Sequence, residues 1–519
     1  MHAHSSALAR TIASWRRLSI AVGIALLVCP APIVRAAEPV RPNVLFIAID
    51  DLNDWVGFLS GHPQVKTPNM DRLAARGLVF ANAHCAAPLC NPSRAAIFSG
   101  LQPWESGVLG NQDGDIRKVQ PDRVLLPAHF QQAGYRTFGT GKLLHQKGTG
   151  MFDEEFFPEQ RWSPFGAKAV DYAPEEMTSK ATDNPRHVMR LNGRRVVLPL
   201  NRLPSDRAPQ SPGGESFDWG PVDVADGEMG DGKIARWAVE RLQKEHEKPF
   251  FLAAGFYRPH IPLFAPKKYF DLYEGVDIQL PPVMEGDLED LSPIGRKWAL
   301  EPVTAGAHAT VVQHGQWQAA VKAYLACVSF VDAQIGLMLD ALDSGPHAAN
   351  TVIVLWGDHG WHLGEKQHWG KWTGWQRSTR VPLVVAPAVG DTRFTLPART
   401  SEPASLLDLY PTMIDLCGLS DRGGLSGQSL VPLLRDPAAK TGRVVISTFD
   451  SGNHAVIDSR WRYIRYADGS EELYDTHADP HEWANLAARP EHQPRMKELA
   501  RHIPTSSSAS QGKIKPKDR

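Results

Sequence analysis

The stretch Leu89-Cys90-Asn91-Pro92-Ser93-Arg94 sets a thiol two residues before a proline and four before an arginine. Pro92 fits a first helical turn, where a missing N–H costs nothing. Ser93 and Arg94 can start that helix and Gly100 can end it. Cys90 then sits at the positive end of the helix dipole, a place suited to an anion. Elsewhere the chain offers carboxylates and cations in small separate groups: Asp50 with Asp51, Lys142 with His145, His260, Asp358 with His359, and Lys371. The three carboxylates Asp50, Asp51 and Asp358 suit a hard divalent cation. His359 is the ambiguous member, because calcium prefers oxygen and imidazole suits softer metals. With a divalent ion bound, Arg94, Lys142 and Lys371 leave such a site net positive, ready for an anion. A histidine side chain ordinarily titrates near ~6.5, so His145 and His260 can move protons near neutral pH. Taken singly, each group has an ordinary explanation: an Asp pair caps a turn, and a lone cysteine is a buried structural residue. Their joint position at the ends of strands points to one site.

Those strands are legible as bare apolar runs. Residues 41–50 (RPNVLFIAID), 249–257 (PFFLAAGFY), 351–356 (TVIVLW) and 381–386 lack polar alternation, as strands buried on both faces do. Polar residues follow the first three directly, at the edge where open α/β sheets place their ligands. Residues 135–139 are strand-like and lead to Lys142 and His145. Helices are expected at 67–76, 125–133, 232–244 and 405–416. The most regular one runs over 317–342, with Val321, Tyr324, Val328, Val331, Ile335, Met338 and Leu342 forming one core-facing stripe. Residues 150–226 are irregular and read as an insertion that shapes a pocket. From residue 441 the pattern changes to short strands at 444–449, 455–458, 463–466 and 472–474, with a closing helix over 491–502. The expected fold is therefore α/β. A large mixed, mostly parallel sheet lies between helices, and a smaller C-terminal α+β subdomain contains an antiparallel sheet.

The 519 residues are 42% hydrophobic and 22% charged, enough for a large core. A formal net charge of −1 and the lack of a long basic run argue against nucleic acid as a partner. Residues 1–36 read as a secretory signal, with Arg10, Arg16 and Arg17 before the apolar core 18–28 and cleavage after Ala36. No later segment reads as apolar for long enough to cross a membrane, so the expected location is secreted or periplasmic. Five cysteines, one inside the leader, permit little disulfide scaffolding. The expected division is 1–36 signal peptide, 37–440 catalytic domain, 441–505 antiparallel-sheet subdomain and 506–519 disordered tail.

The Cys-x-Pro-Ser-Arg stretch resembles the signature of the type I sulfatases. The wider chain resembles the iduronate-2-sulfatase-type branch of the alkaline-phosphatase-like superfamily, from Asn43 to about Leu486. The resemblance is carried by Asp50-Asp51-Leu52, Leu89 to Arg94, Gly141-Lys142-Leu143-Leu144-His145, the 256–262 segment FYRPHIP, the 357–365 segment GDHGWHLGE, Lys371 and Tyr463-Ile464-Arg465-Tyr466. It implies that a maturation enzyme oxidises Cys90 to formylglycine, whose hydrate is the nucleophile. It implies one Ca²⁺ held by Asp50, Asp51, Cys90, Asp358 and His359. Arg94, Lys142, His145, His260 and Lys371 would be active-site residues, with Lys142, His260 and Lys371 on the sulfate. The implied reaction is in-line attack on sulfur, with the alcohol protonated by His260 or Lys371. His145 would then deprotonate the second hydroxyl to expel sulfate. The implied substrate is a sulfated sugar from a uronic-acid-containing glycan. The cysteines other than Cys90 depart from the paired cysteines of animal members, so no disulfide carries over.

The sequence leaves two rivals. One is a formylglycine-dependent phosphonate or phosphate ester hydrolase of the same superfamily. The other is a sulfated-glycan binding protein in which Cys90 is never matured. The dizinc phosphatases need a Ser or Thr nucleophile, which Cys90 argues against.

Overall fold

Successive side chains of a strand point to opposite faces, and in Asn43–Ile49 both sets are apolar. Leu45, Ile47 and Ile49 enter one core, while Val44, Phe46 and Ala48 enter another. The computed structural model describes residues 41–158, 161–166, 170–172, 187–206 and 215–504. The leader 1–36 and the tail 506–519 lie outside the described residues.

Asn43–Ile49 pairs in parallel with Phe250–Phe256 on one side and Thr351–Gly357 on the other. The full sheet runs Ala398–Thr400, Leu78–Phe80, Leu383–Ala386, Thr351–Gly357, Asn43–Ile49, Phe250–Phe256, Arg136–Gly141, Glu154–Phe156. The last five strands are mutually parallel. Leu383–Ala386 is antiparallel to both of its neighbours. Helices Trp317–Asp343 and Gly230–Leu242 cover one face. Cys90–Ser99, Leu126–Gln132 and Leu409–Cys417 cover the other. The fold is the expected α/β sandwich. The short edge strand Ala398–Thr400 and its neighbour Leu78–Phe80 escape the sequence pattern because three residues carry no readable period.

Several expectations need correction. Trp317–Asp343 is long and apolar enough to cross a bilayer, with a mean hydropathy of 1.6. However, 83% of the 18-residue window that gives this value is buried in protein, so the fold already satisfies its apolar surface. Residues 150–226 are not wholly irregular. His187–Leu191 and Arg194–Leu198 form a hairpin closed by Asn192-Gly193, both with positive φ (49° and 78°). Asn-Gly is the favoured two-residue hairpin turn, a signal the composition of the segment obscured. Residues 142–146, which carry Lys142 and His145, form a series of bends. The Cys90 helix begins at Cys90 itself rather than at Pro92 or Ser93.

The C-terminal sheet runs Val445–Thr448, His454–Ile457, Trp461–Arg465, Glu471–Asp475, each strand antiparallel to the next. Val456, Tyr463 and Leu473 pack on Met496 and Leu499 of the helix Gln493–Ala500. From the other face Ala455, Ile457, Ile464 and Tyr474 pack with Trp375 and Ala299.

Candidate active site

Four adjacent parallel strands deliver the charged residues at their carboxyl ends. Asp50 and Asp51 follow Asn43–Ile49, Lys142 follows Arg136–Gly141, His260 follows Phe250–Phe256 and Asp358 follows Thr351–Gly357. Asp51 turns the chain there with φ 60°, a left-handed conformation that Asp tolerates better than bulkier residues. Its backbone N–H donates to Asp358 Oδ1 at 3.1 Å, tying two strand ends together. Cys90, the first residue of its helix, is 1% exposed and faces this edge.

The Cys90 Sγ lies 2.9 Å from Lys371 Nζ, 3.3 Å from His359 Nε2, 3.6 Å from Lys142 Nζ and 3.6 Å from Asp50 Oδ1. His145 lies exposed at the rim and contributes to lowering the Cys90 thiol pKa. Arg94 is fully buried. Its Nε donates to Asp358 Oδ2 at 2.8 Å, one Nη to Asp50 Oδ1 at 3.3 Å, and the other to the Lys142 carbonyl. Lys142 donates to Asp50 Oδ2, and Lys371 to Asp51 Oδ1 at 2.5 Å. Ligating atoms of Asp50, Asp51, Cys90 and His260 lie within 4.8 Å of one another, and so do those of Asp50, Cys90, Asp358 and His359. The structure thus brings every predicted site residue into one cluster.

Electrostatics set Cys90 apart from the other described cysteines. Burial raises its thiol pKa, but Lys142, Lys371 and His359 overcome this and hold it well below the usual value. Cys85, Cys327 and Cys417 are also buried and free, and burial pushes all three up, the last two to about 12. The carboxylates diverge in the same way. Burial and the Cys90 charge would raise Asp50, yet Lys142, His260 and Arg94 hold it below its ordinary value. Burial lifts Asp358 to about 7 against the pull of Arg94 and His359. Burial lowers His260. Burial also acts to lower His359, but Asp358 outweighs it and raises the imidazole. Paired groups pushed in opposite directions are what acid–base chemistry needs.

The donor set fits a divalent cation. Asp51 Oδ2 is buried and has no hydrogen-bond partner. A buried carboxylate oxygen without a partner is costly unless a cation meets it. Asp50, Asp51, Asp358 and His359, with the side chain at position 90, are the groups that could hold the ion.

Some residues of the site were not singled out from sequence. Tyr324 belongs to the apolar stripe of Trp317–Asp343, yet its hydroxyl donates to the Asp51 carbonyl at 2.8 Å and accepts the Asn53 N–H at 2.9 Å. A buried tyrosine needs a partner for its hydroxyl, and that was the available signal. Asp231 accepts the backbone N–H of Tyr257 and Arg258 at 2.8 and 3.0 Å and so fixes the loop that presents His260. Ser93 Oγ donates to the Asp358 carbonyl at 2.5 Å and locks the Cys90 helix to the Asp358 strand.

The profile of the sulfatase family matches residues 42–419. The chain belongs to the sulfatase family. This sulfatase also matches, over residues 364–508, the profile described as N-sulphoglucosamine sulphohydrolase, C-terminal. It is 37% identical to a sulfatase of Formosa agariphila over 512 residues, covering 95% of this chain and 92% of that one. It is 28% identical to the iduronate 2-sulfatase of Mus musculus, covering 73% of this chain and 69% of the relative. The fold is also that of the phosphonate monoester hydrolase of Agrobacterium radiobacter, with a TM-score of 0.68 at 20% identity over 89% of this chain and 94% of that structure. Membership makes the protein a sulfuric ester hydrolase, and its site is assembled for an anionic ester.

Proposed function

We propose that this sulfatase removes sulfate from a sulfated saccharide, with a uronic-acid-containing glycan as the substrate class, through a formylglycine formed from Cys90 beside a bound Ca²⁺. The observation that carries this is Cys90 itself, the first residue of its helix, set against Lys142, Lys371 and His359 at the edge where Asp50, Asp51 and Asp358 converge. The uronic acid reading draws on the likeness to iduronate 2-sulfatase. Three carboxylates against one imidazole favour calcium over a softer metal.

When formed, formylglycine supplies the oxygen nucleophile that a plain thiol cannot regenerate after sulfate transfer. When bound, the cation supplies Lewis acidity at that nucleophile and at the sulfate. The chain's own residues do the rest. Lys142 and Lys371 both present ammonium groups beside position 90 to a tetrahedral anion. Arg94 spans Asp50 and Asp358 and favours their ionised forms. His260, half-buried and near position 90, is placed to give a proton to the leaving alcohol oxygen. His145 stands at the rim, where it acts on the charge at position 90, and takes the proton whose loss releases sulfate.

Residues 1–36 support export, and Cys90 then meets its maturation enzyme as a partner on the way out. The test is the mass of the peptide containing residue 90 in purified active protein. Conversion exchanges sulfur and two hydrogens for one oxygen. An unmodified Cys90 in protein that turns over sulfate esters overturns the formylglycine reading. Hydrolysis of phosphonate esters in preference to sulfate esters would move the chain to the rival activity.

A further inference from the structure

The segment that carries Lys371 is held from outside the parallel sheet. On its N-terminal side, Lys366 is 3% exposed and donates to Asp287 Oδ1 at 2.5 Å and to the Glu482 carbonyl. On its C-terminal side, the fully buried Arg462 donates from Nη1 to the Gly374 carbonyl at 3.0 Å and to Thr379 Oγ1 at 2.9 Å. Arg462 pairs with Glu482, whose carboxylate accepts the Gln376 N–H at 2.8 Å. Glu472 accepts the Trp375 indole N–H at 2.9 Å. Between these anchors, Trp372 adopts φ 72° and donates its N–H to the Pro88 carbonyl at 2.9 Å, two residues before Cys90. A bulky residue in the left-handed region persists only where its surroundings over-determine it. Glu482 is itself left-handed, with φ 59°. The C-terminal family profile begins at residue 364, so the Lys371 segment and the C-terminal sheet are matched as one stretch.

We propose that the Arg462–Glu482 pair beside the C-terminal sheet is a positioning device that fixes Lys371 against residue 90, so that a part of the chain touching neither metal nor substrate sets sulfate affinity. This rests on the proposed role of Lys371 as a sulfate-facing cation. A buried guanidinium suits the task, because its Nε pairs with Glu482 while its Nη1 holds Gly374 and Thr379, which fixes direction as well as distance. The bland alternative is that the pair only fastens the C-terminal sheet to the body of the protein.

A double-variant cycle separates the two. Inorganic sulfate affinity is measured by calorimetry on the mature, metal-loaded full chain, which needs no turnover. The proteins are wild type, Glu482→Ala, Lys371→Ala and the double variant, each with its melting temperature. Lys371→Ala and Glu482→Ala should each weaken sulfate by about tenfold, and the double variant should bind no worse than Lys371→Ala alone. Arg462→Lys, which keeps charge but not the fork, should lose part of the affinity. Wild-type sulfate affinity in Glu482→Ala, or losses that multiply in the double variant, would overturn the proposal. If Glu482→Ala does not fold, Glu482→Gln keeps an acceptor for Gln376 and carries the same cycle. Undiminished sulfate binding in Lys371→Ala would remove the role assigned to Lys371, a failure distinct from that of the clamp, and the clamp would fall with it.

Discussion

At the carboxyl edge of the parallel strands, Asp50, Asp51 and Asp358 crowd against Arg94, Lys142 and Lys371. Under the C-terminal sheet, Glu472 instead stands among the hydroxyls of Tyr466 and Tyr474, each at 2.8 Å, and the Trp375 indole. Both sites bury carboxylates completely. In the first, full charges face one another, one carboxylate oxygen has no partner, and Asp50 and Asp358 are driven apart in pKa. In the second, burial raises Glu472, and the hydroxyls of Tyr466 and Tyr474, with Lys366 and the Trp375 indole behind them, pull it back. Neutral donors hold a group still, whereas opposed charges leave it ready to respond when a cation or an anion arrives. The molecule thus keeps a reactive cluster on its central sheet and a quiet polar brace beside it.

The largest effect should come from the centre of the reactive cluster. Cys90→Ala should abolish sulfate ester hydrolysis, a loss of about 10⁴-fold or more, with the melting temperature close to wild type. Cys90→Ser should fail as well in a host without a serine-type maturation enzyme. Substantial activity in purified Cys90→Ala would show that the cluster does not react through residue 90.

Removing the ion should come next. A chelator should inactivate the enzyme and lower its melting temperature, because a ligand that binds only the folded state stabilises it. Added Ca²⁺ should restore both. Elemental analysis finding two zinc ions per chain would point instead to phosphatase-type chemistry.

The two histidines sharpen the contrast within the cluster. His260→Ala should slow hydrolysis of a sulfated sugar by about 10²-fold or more and an aryl sulfate far less, because a phenol of pKa near ~10 leaves without help. His145→Ala should impair both substrates alike, since sulfate release no longer contains the leaving group. Equal losses on both substrates for His260→Ala would leave it a binding or structural residue.

The smallest effect lies in the framework. Asp218 is fully buried and held at about 7: burial lifts it, and N–H donors from Asn201, Leu200 and Trp219 only partly offset this. Its folded pKa is above the ordinary value near ~3.9, so the folded state holds this proton more tightly. The stability it adds is fully present below about pH 4 and is lost as pH rises through about 7. Asp218→Asn should flatten that fall by about 1–2 kcal/mol between about pH 5 and pH 7.5, read from melting temperatures. An unchanged pH slope would remove Asp218 from the account.

Much of this was readable in the chain. The bare apolar runs gave the central strands because burial on both faces leaves no polar alternation, and residues 50–51, 142, 260 and 358–359 fell at their ends. The four C-terminal strands were readable from alternation and turn residues such as Asp468-Gly469. The three-residue strands Leu78–Phe80 and Ala398–Thr400 were not, and neither was the Asn192-Gly193 hairpin inside a segment rich in loop residues. Tyr324 passed as core and Asp231 was not singled out, since their work is hydrogen bonding to backbone distant in sequence.

By itself, the sequence determined which residues could react: a thiol and an arginine at a helix start, carboxylates and histidines tied to strand ends by local pattern, and the cations Lys142 and Lys371. Only the tertiary structure decided how they meet. Lys371 reaches 2.9 Å from Cys90 across 281 residues of chain, and Arg94 bridges carboxylates from two different strands. Such contacts arise from parallel pairing and from a brace formed by residues 100 positions further on. They depend on burial and long-range hydrogen bonds, which no local period in a sequence encodes.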